Sequence, residues 1–151
     1  MPSNYTQTNR ALALMTPLAP DALLLVGLSG REGISQLFNF ELDAIATNDK
    51  NISFDKLLGQ KVIAKLLLPG GGSKYRFFSG ICNKVSQGSR DKDFTSYKLA
   101  IVPQFWLLTK RAQSRIFQHL SVPDILKKVL AGLDVSYEIQ GTFQPRDYCV
   151  Q

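Results

Sequence analysis

The chain contains few residues of the types that do catalytic chemistry, and its single histidine is the first to consider. His119 could act as a general base only beside a nucleophile and an orienting acid. It stands two residues before Ser121, a good helix N-cap, where a polar loop residue is expected. One histidine in 151 residues is a weak active-site signal, so we predict no catalytic residue and no enzymatic activity.

Two short segments resemble reactive loops without matching them. Gly27-Leu28-Ser29-Gly30 is similar to the nucleophile elbow G-x-S-x-G, but Arg31 replaces the last glycine. Gly70-Gly71-Gly72-Ser73-Lys74 is similar to a phosphate-binding loop, but it lacks the Gly-Lys-Ser/Thr order and no helical pattern follows. We interpret both as turns. The acidic residues are scattered, and none pairs with another as in a glycosidase.

The two cysteines, Cys82 and Cys149, are far apart in sequence. Two such thiols form neither a disulfide framework nor a metal site, so we interpret them as buried thiols in a reducing compartment. We therefore predict no metal and no cofactor.

Composition indicates a folded protein of one domain, or of one domain and the start of another. Hydrophobic residues make up 44% of the chain, which excludes a disordered tail. No apolar run approaches the roughly 20 residues that span a bilayer. Residues 1–10 are polar and lack the apolar region of a signal peptide, so export would need another route.

The formal charge of +6 is concentrated in the middle of the chain. Residues 50–92 contain nine basic residues against two acids, whereas residues 1–49 have a net charge of −3. A basic segment can attract nucleic acid, and a nucleic-acid-binding β-barrel module is the alternative function. Lys61 and Lys65 alternate with apolar residues, which is more typical of the solvated side of a strand.

Alternating and apolar runs predict about six or seven antiparallel strands. The predicted strands are residues 23–29, 38–44, 60–68, 75–85, 94–102 and 135–139. Gly80 interrupts one of them and predicts a bulge or a tight bend. Closure into a small barrel or sandwich would hide the edges of such short strands. The side chains expected inside are those of Phe38, Phe40, Leu42, Val62, Phe78, Leu99 and Ile101.

One amphipathic helix is predicted over residues 122–131. Ser121 is the expected N-cap, with Asp124 three residues later, and Gly132 fits the C-terminal end. Its apolar stripe consists of Val122, Ile125, Leu126, Val129, Leu130 and Leu133.

Seven segments, taken in order, resemble a known family. They are residues 17–25, the pattern Gly30-x-Glu32 with Ser35 and Phe38-x-Phe40, residues 57–62, Arg76-Phe77-Phe78-Ser79-Gly80-Ile81, residues 97–108, residues 115–126 and residues 145–151. Together they resemble the amino-terminal hub region of the type VI secretion spike proteins, the valine-glycine repeat protein G (VgrG) family, and the related phage tail hubs.

The resemblance implies a mainly β fold, a phage tail hub-like β-barrel with one amphipathic α-helix and a partial α/β insertion. It implies a hub β-barrel over residues 1–110 and the helix-strand start of a small α/β insertion over 111–151. Because the sequence stops inside the last motif, we expect a truncated fragment.

The implied function is that of a structural hub at the base of a contractile injection machine. The implied partners are further copies in a trimer, a hexameric Hcp-like tube protein, baseplate proteins and carried effectors, with no specific nucleic acid. The fragment itself is expected to be a monomer or a non-native dimer. The implied location is the bacterial cytoplasm during assembly, followed by export through the machine without a signal peptide.

Overall fold

The computed structural model describes residues 5–70 and 74–151. The chain divides into two compact units, Met1–Pro103 and Gln104–Gln151. The first contains strands β1 Leu12–Met15, β2 Leu24–Arg31, β3 Asn39–Thr47, β4 Lys61–Leu67, β5 Tyr75–Arg90 and β6 Phe94–Val102. The second contains a 3-10 helix Gln104–Lys110, β7 Ile116–Leu120, α1 Val122–Val129 and β8 Arg146–Val150. The domain boundary expected at residue 110 stays a prediction.

The first unit is one antiparallel sheet of six strands in the order β1-β4-β5-β6-β3-β2. The sheet curls, so that its edge strands β1 and β2 approach each other. The expected mainly β fold with one α-helix is therefore confirmed. The strand β1 was not predicted, because its four residues are too few for a readable alternation.

The core lies on the concave side of this sheet and follows from the period of two in its strands. In β3, Phe40, Leu42, Ala44 and Ala46 are buried while the residues between them are more exposed. Of the seven side chains predicted inside, five are buried. Phe38 and Phe78 are partly buried and pack against the same core.

Gly80 does not form the bulge that its position suggested. It pairs regularly with Val62, and the register shifts of β5 lie between Cys82 and Lys84 and between Gln87 and Arg90 instead. The requirement for glycine at position 80 has another cause, the close approach of the neighbouring strand described below.

The second unit differs from the sequence prediction in its strands. Residues 135–139 do not form a strand. The segment at residues 145–151 instead supplies β8, which pairs antiparallel with β7. Tyr148, Cys149 and Val150 therefore lie on a strand whose edge toward β7 is paired.

Helix α1 begins as predicted and ends two residues early. The Ser121 hydroxyl accepts a hydrogen bond from Asp124 N and donates one to the Asp124 carboxylate. The helix ends at Val129, and Gly132 follows in a left-handed conformation at φ 87°. No helix in residues 5–70 and 74–151 is long and apolar enough to span a membrane.

Candidate assembly surfaces

Three of the seven segments that carry the family resemblance meet at Phe40. Gly30 on β2 and Ile101 on β6 are its cross-strand neighbours. The Phe40 ring lies 5.3 Å from the ring of Phe38 and 4.8 Å from that of Phe78, the latter edge-on, as aromatic pairs prefer. Segments distant in sequence are thus brought together by one aromatic cluster.

Arg76 covers this cluster from the solvent side. Its guanidinium lies 4.6 Å from the centre of the Phe78 ring and forms an ion pair with Glu32. Both side chains of the ion pair are about half exposed, so the pair adds little to stability. It instead joins the loop after β2 to the start of β5.

Two glycines of the motifs leave room for neighbouring backbone. A Cβ at Gly80 would lie 2.6 Å from the carbonyl oxygen of Val102 and 3.1 Å from the Phe38 ring. A Cβ at Gly30 would lie 2.4 Å from the carbonyl oxygen of Asn39. These two glycines therefore allow close packing between neighbouring strands of the sheet.

The convex side of the barrel carries an apolar surface across three strands, here called the outer strip. Its members are the outward side chains of Met15, Ile63, Leu67, Tyr75 and Phe77 on β1, β4 and β5. Met15 is 50% exposed and Phe77 57% exposed. Lys65 lies within the strip, with its Nζ 3.6 Å from the centre of the Tyr75 ring. Exposed apolar side chains grouped in this way mark a surface suited to protein contacts.

The second unit has its own exposed apolar face on the β7–β8 sheet. Ile116 pairs with Val150, and these side chains are 70% and 65% exposed. Tyr148 shares the same face, two residues along the strand, and is 70% exposed. A two-stranded sheet with a solvated apolar face is marginal alone, so this face is suited to a covering partner.

The residues considered for catalysis occupy ordinary structural positions. His119 is exposed on β7 with a left-handed backbone at φ 52°. Ser29 is an exposed residue within β2, paired with Glu41, so the segment around it is a strand and not an elbow or the predicted turn. The predicted turn at Gly70–Lys74 falls partly on residues 71–73, outside the described residues.

The two thiols differ in their surroundings, and both are free. Cys82 is buried, as predicted, and burial raises the pKa of its thiol, whose Sγ donates to the Lys84 carbonyl at 3.3 Å. A raised pKa makes a thiol less reactive. Cys149 is only half-buried, because β8 has a single strand neighbour.

The remaining chemistry of the described chain offers no obvious ligand site. Across residues 5–70 and 74–151, no group of three or more His, Cys, Asp or Glu side chains could hold a metal ion. The cations of the basic middle are spread over β4, β5 and their loops, with Lys61 and Lys65 on the convex side as predicted. The Asp91 carboxylate makes local contacts, because it accepts hydrogen bonds from the backbone N–H groups of Phe94 and Asp93, which lower its pKa.

The outer strip is the feature that sequence reasoning missed. The outward positions of Ile63 and Lys65 could be read from alternation, but the pairing of Met15 with Ile63 could not. A contact between residues separated by β2 and β3 in sequence depends on strand order, which alternation does not specify.

Comparisons with known proteins fit this geometry. The family model for the phage tail baseplate hub (GPD) matches residues 31–151. The chain is 37% identical over 99% of its length to the type VI secretion system spike protein VgrG1c of Pseudomonas aeruginosa. It is 38% identical over 96% of its length to VgrG1a of the same organism. It covers 21% and 23% of these relatives, so it spans about a fifth of their length.

A solved structure extends the similarity to three dimensions. The Escherichia coli c3393 protein, described as a component of the type VI secretion system that resembles the phage T4 tail proteins gp27 and gp5, superimposes with a TM-score of 0.74. The match covers 91% of this chain and 38% of that one, at 22% identity, and supports the fold. Because the hub model matches residues 31–151, which are most of the chain, the protein belongs to the phage tail baseplate hub family.

Proposed function

We propose that this chain is the barrel segment of a structural hub at the base of a type VI secretion spike. The observation that supports it most is the similarity over nearly the whole chain to spike proteins. On this fold the motif residues Gly30, Phe40 and Phe78 pack together. In this role the segment is a mechanical part and not an enzyme. The nucleic-acid alternative finds no support among the relatives.

The proposed partners follow from that role. Copies of the hub would associate as a trimer in the full-length protein and contact a hexameric tube protein, baseplate proteins and carried effectors. The outer strip is the surface we assign to such contacts, because it combines exposed aromatic and aliphatic side chains with Lys61 and Lys65. The protein would assemble in the bacterial cytoplasm and leave through the machine.

The test is replacement of the hub segment of a spike protein by this sequence in a bacterium that secretes its tube protein. The measured quantity is tube protein in the culture medium. We expect secretion with the wild-type segment and its loss with Phe77→Asp, which places a charge in the outer strip. Gln87→Asp, at an exposed position on the far half of β5, is the matched control and should secrete normally.

Thermal unfolding of the purified segments separates loss of assembly from loss of folding. Because Phe77 is 57% exposed, we expect its variant to unfold like the control. Failure of the folded wild-type segment to support secretion would contradict the hub function. Normal secretion by Phe77→Asp would contradict only the assignment of the outer strip.

A further inference from the structure

At one place in the curled sheet, two neighbouring strands are not joined by backbone hydrogen bonds. Strands β1 and β2 are the two edges of the six-stranded sheet, and they lie side by side. Across the part of the chain that the structure describes, no backbone–backbone hydrogen bond joins β1 to β2. We call this junction the seam.

The side chain of Gln7 lies in the seam and hydrogen-bonds to both edge strands. Its Oε1 accepts a hydrogen bond from Leu14 N at 2.6 Å, and its Nε2 donates one to Leu14 O at 3.0 Å. The carboxamide thus pairs with both backbone groups of Leu14, as a residue of a neighbouring strand would. The same Oε1 also accepts from Leu25 N at 3.3 Å, so one side chain connects β1 to β2.

The backbone geometry explains why these groups need a partner. Ala11 O accepts from Leu67 N, so alternate residues from Ala11 onward turn their backbone groups toward β4. Leu14 therefore directs its N–H and C=O away from β4 and toward the seam. Leu14 is buried, and a buried backbone group without a partner is costly.

Asp21 fixes the orientation of the carboxamide. Its Oδ1 accepts from Gln7 N at 3.0 Å and from Gln7 Nε2 at 3.4 Å. A flipped carboxamide would place its oxygen against the Asp21 carboxylate and the Leu14 carbonyl, and its NH₂ against two N–H groups, which excludes it. Asp21 is itself held, because Lys50 Nζ donates to its carbonyl oxygen.

We propose that the amino-terminal segment around Gln7 is a latch, and that the barrel opens first at the seam that this latch closes. Elsewhere neighbouring strands are joined by backbone hydrogen bonds over several residue pairs. Among residues 5–70 and 74–151, the hydrogen bonds that link β1 to β2 come from the Gln7 side chain. Local opening follows the weakest set of hydrogen bonds. Release of Gln7 would free the edges of β1 and β2 while β3–β6 remain paired.

Amide hydrogen exchange of the 151-residue chain, resolved by residue with NMR, tests the latch. In Gln7→Ala we expect the Leu14 and Leu25 amides to exchange roughly tenfold to hundredfold faster, since three hydrogen bonds to backbone are lost. The Leu42 and Leu99 amides, on strands paired at both edges, should keep their wild-type rates. Gln36→Ala, at an exposed glutamine in the loop before β3, is the matched control and should change none of them.

Two results would overturn the proposal. One is unchanged exchange at Leu14 and Leu25 in Gln7→Ala. The other is equal acceleration at all four leucines, which would show global destabilisation without a local seam. If Gln7→Ala does not fold, amide exchange of the wild-type chain at low urea concentrations tests the same proposal. Leu14 and Leu25 must then share an opening step that Leu42 and Leu99 do not show.

Discussion

Phe40 is the residue on which the first unit depends most. Its ring contacts the rings of Phe38 and Phe78, and only 6% of the residue is exposed. Replacement by alanine would remove a large buried ring and leave a cavity. The cavity cannot easily close, because β3 is paired with a strand on each side of Phe40.

We predict that Phe40→Ala lowers the free energy of unfolding by about 3–5 kcal/mol. Urea titration followed by circular dichroism measures the change. Phe77→Ala is the matched control, because the Phe77 ring is mostly solvated and its loss should cost less than about 1 kcal/mol. Equal costs for the two variants would contradict the core assigned here.

Asp21 makes stability depend on pH. The hydrogen bond from the backbone N–H of Gln7 is the main cause that holds the Asp21 pKa below its ordinary value of 3.8, and the nearby Lys50 cation lowers it further. A group with a depressed folded-state pKa contributes stability above its unfolded pKa and loses it as pH falls through the folded value.

We therefore expect Asp21→Asn to destabilise the chain more at about pH 6 than at about pH 3. Asparagine, like aspartate, tolerates the left-handed backbone conformation found at position 21, so the substitution removes mainly the charge. Urea titrations of both proteins at the two pH values measure the difference. A destabilisation that is independent of pH would show that the Asp21 charge does not stabilise the fold.

At the scale of elements, β5 and β6 approach each other so closely at Gly80 that only glycine fits there. Gly80 has ordinary strand pairing, yet a side chain there would collide with the Val102 carbonyl. A collision with backbone cannot be relieved by a rotamer change.

We predict that Gly80→Ala destabilises the chain by roughly 1–3 kcal/mol through this collision. Gly33→Ala is the matched control, since its Cβ would make its nearest contact at 3.5 Å, an ordinary distance. Thermal unfolding of the two variants measures the difference. A crystal structure of Gly80→Ala should show β6 displaced near Val102, and an unmoved strand would contradict the explanation.

The elements also show what sequence patterns can and cannot predict. The period of two in β3 and β6 predicted which side chains lie inside, and the Ser121 cap predicted the start of α1. Residues 135–139 alternate but have no partner strand, so local pattern alone predicted the wrong strand there. β1 and the role of Gln7 depend on contacts across the chain, and no local pattern specifies them.

For the whole molecule, the basic middle raises the question of nucleic-acid binding. The net charge of +6 attracts phosphate without reading sequence. We predict only weak binding to DNA or RNA, falling steeply as salt is raised, in fluorescence anisotropy with several unrelated oligonucleotides. Submicromolar affinity for one sequence at physiological salt would contradict the hub function.

The association state of the 151-residue chain is the other property of the whole molecule. The outer strip on the first unit and the β7–β8 face on the second are both solvated and apolar, and each can be covered by a second copy. Exposed apolar side chains of this kind favour weak association that rises with concentration. They do not by themselves specify a closed ring.

We therefore predict a monomer or a dimer, and not the trimer proposed for the full-length protein, in light scattering at micromolar concentration. If the dimer forms through the β7–β8 face, Ile116→Thr with Val150→Thr should shift it toward monomer, because both side chains are exposed and paired there. Ile34→Thr, at an isolated loop residue that is 97% exposed, is the control and should leave the mass unchanged. A stable, closed trimer of this chain would show that its surfaces already specify the ring.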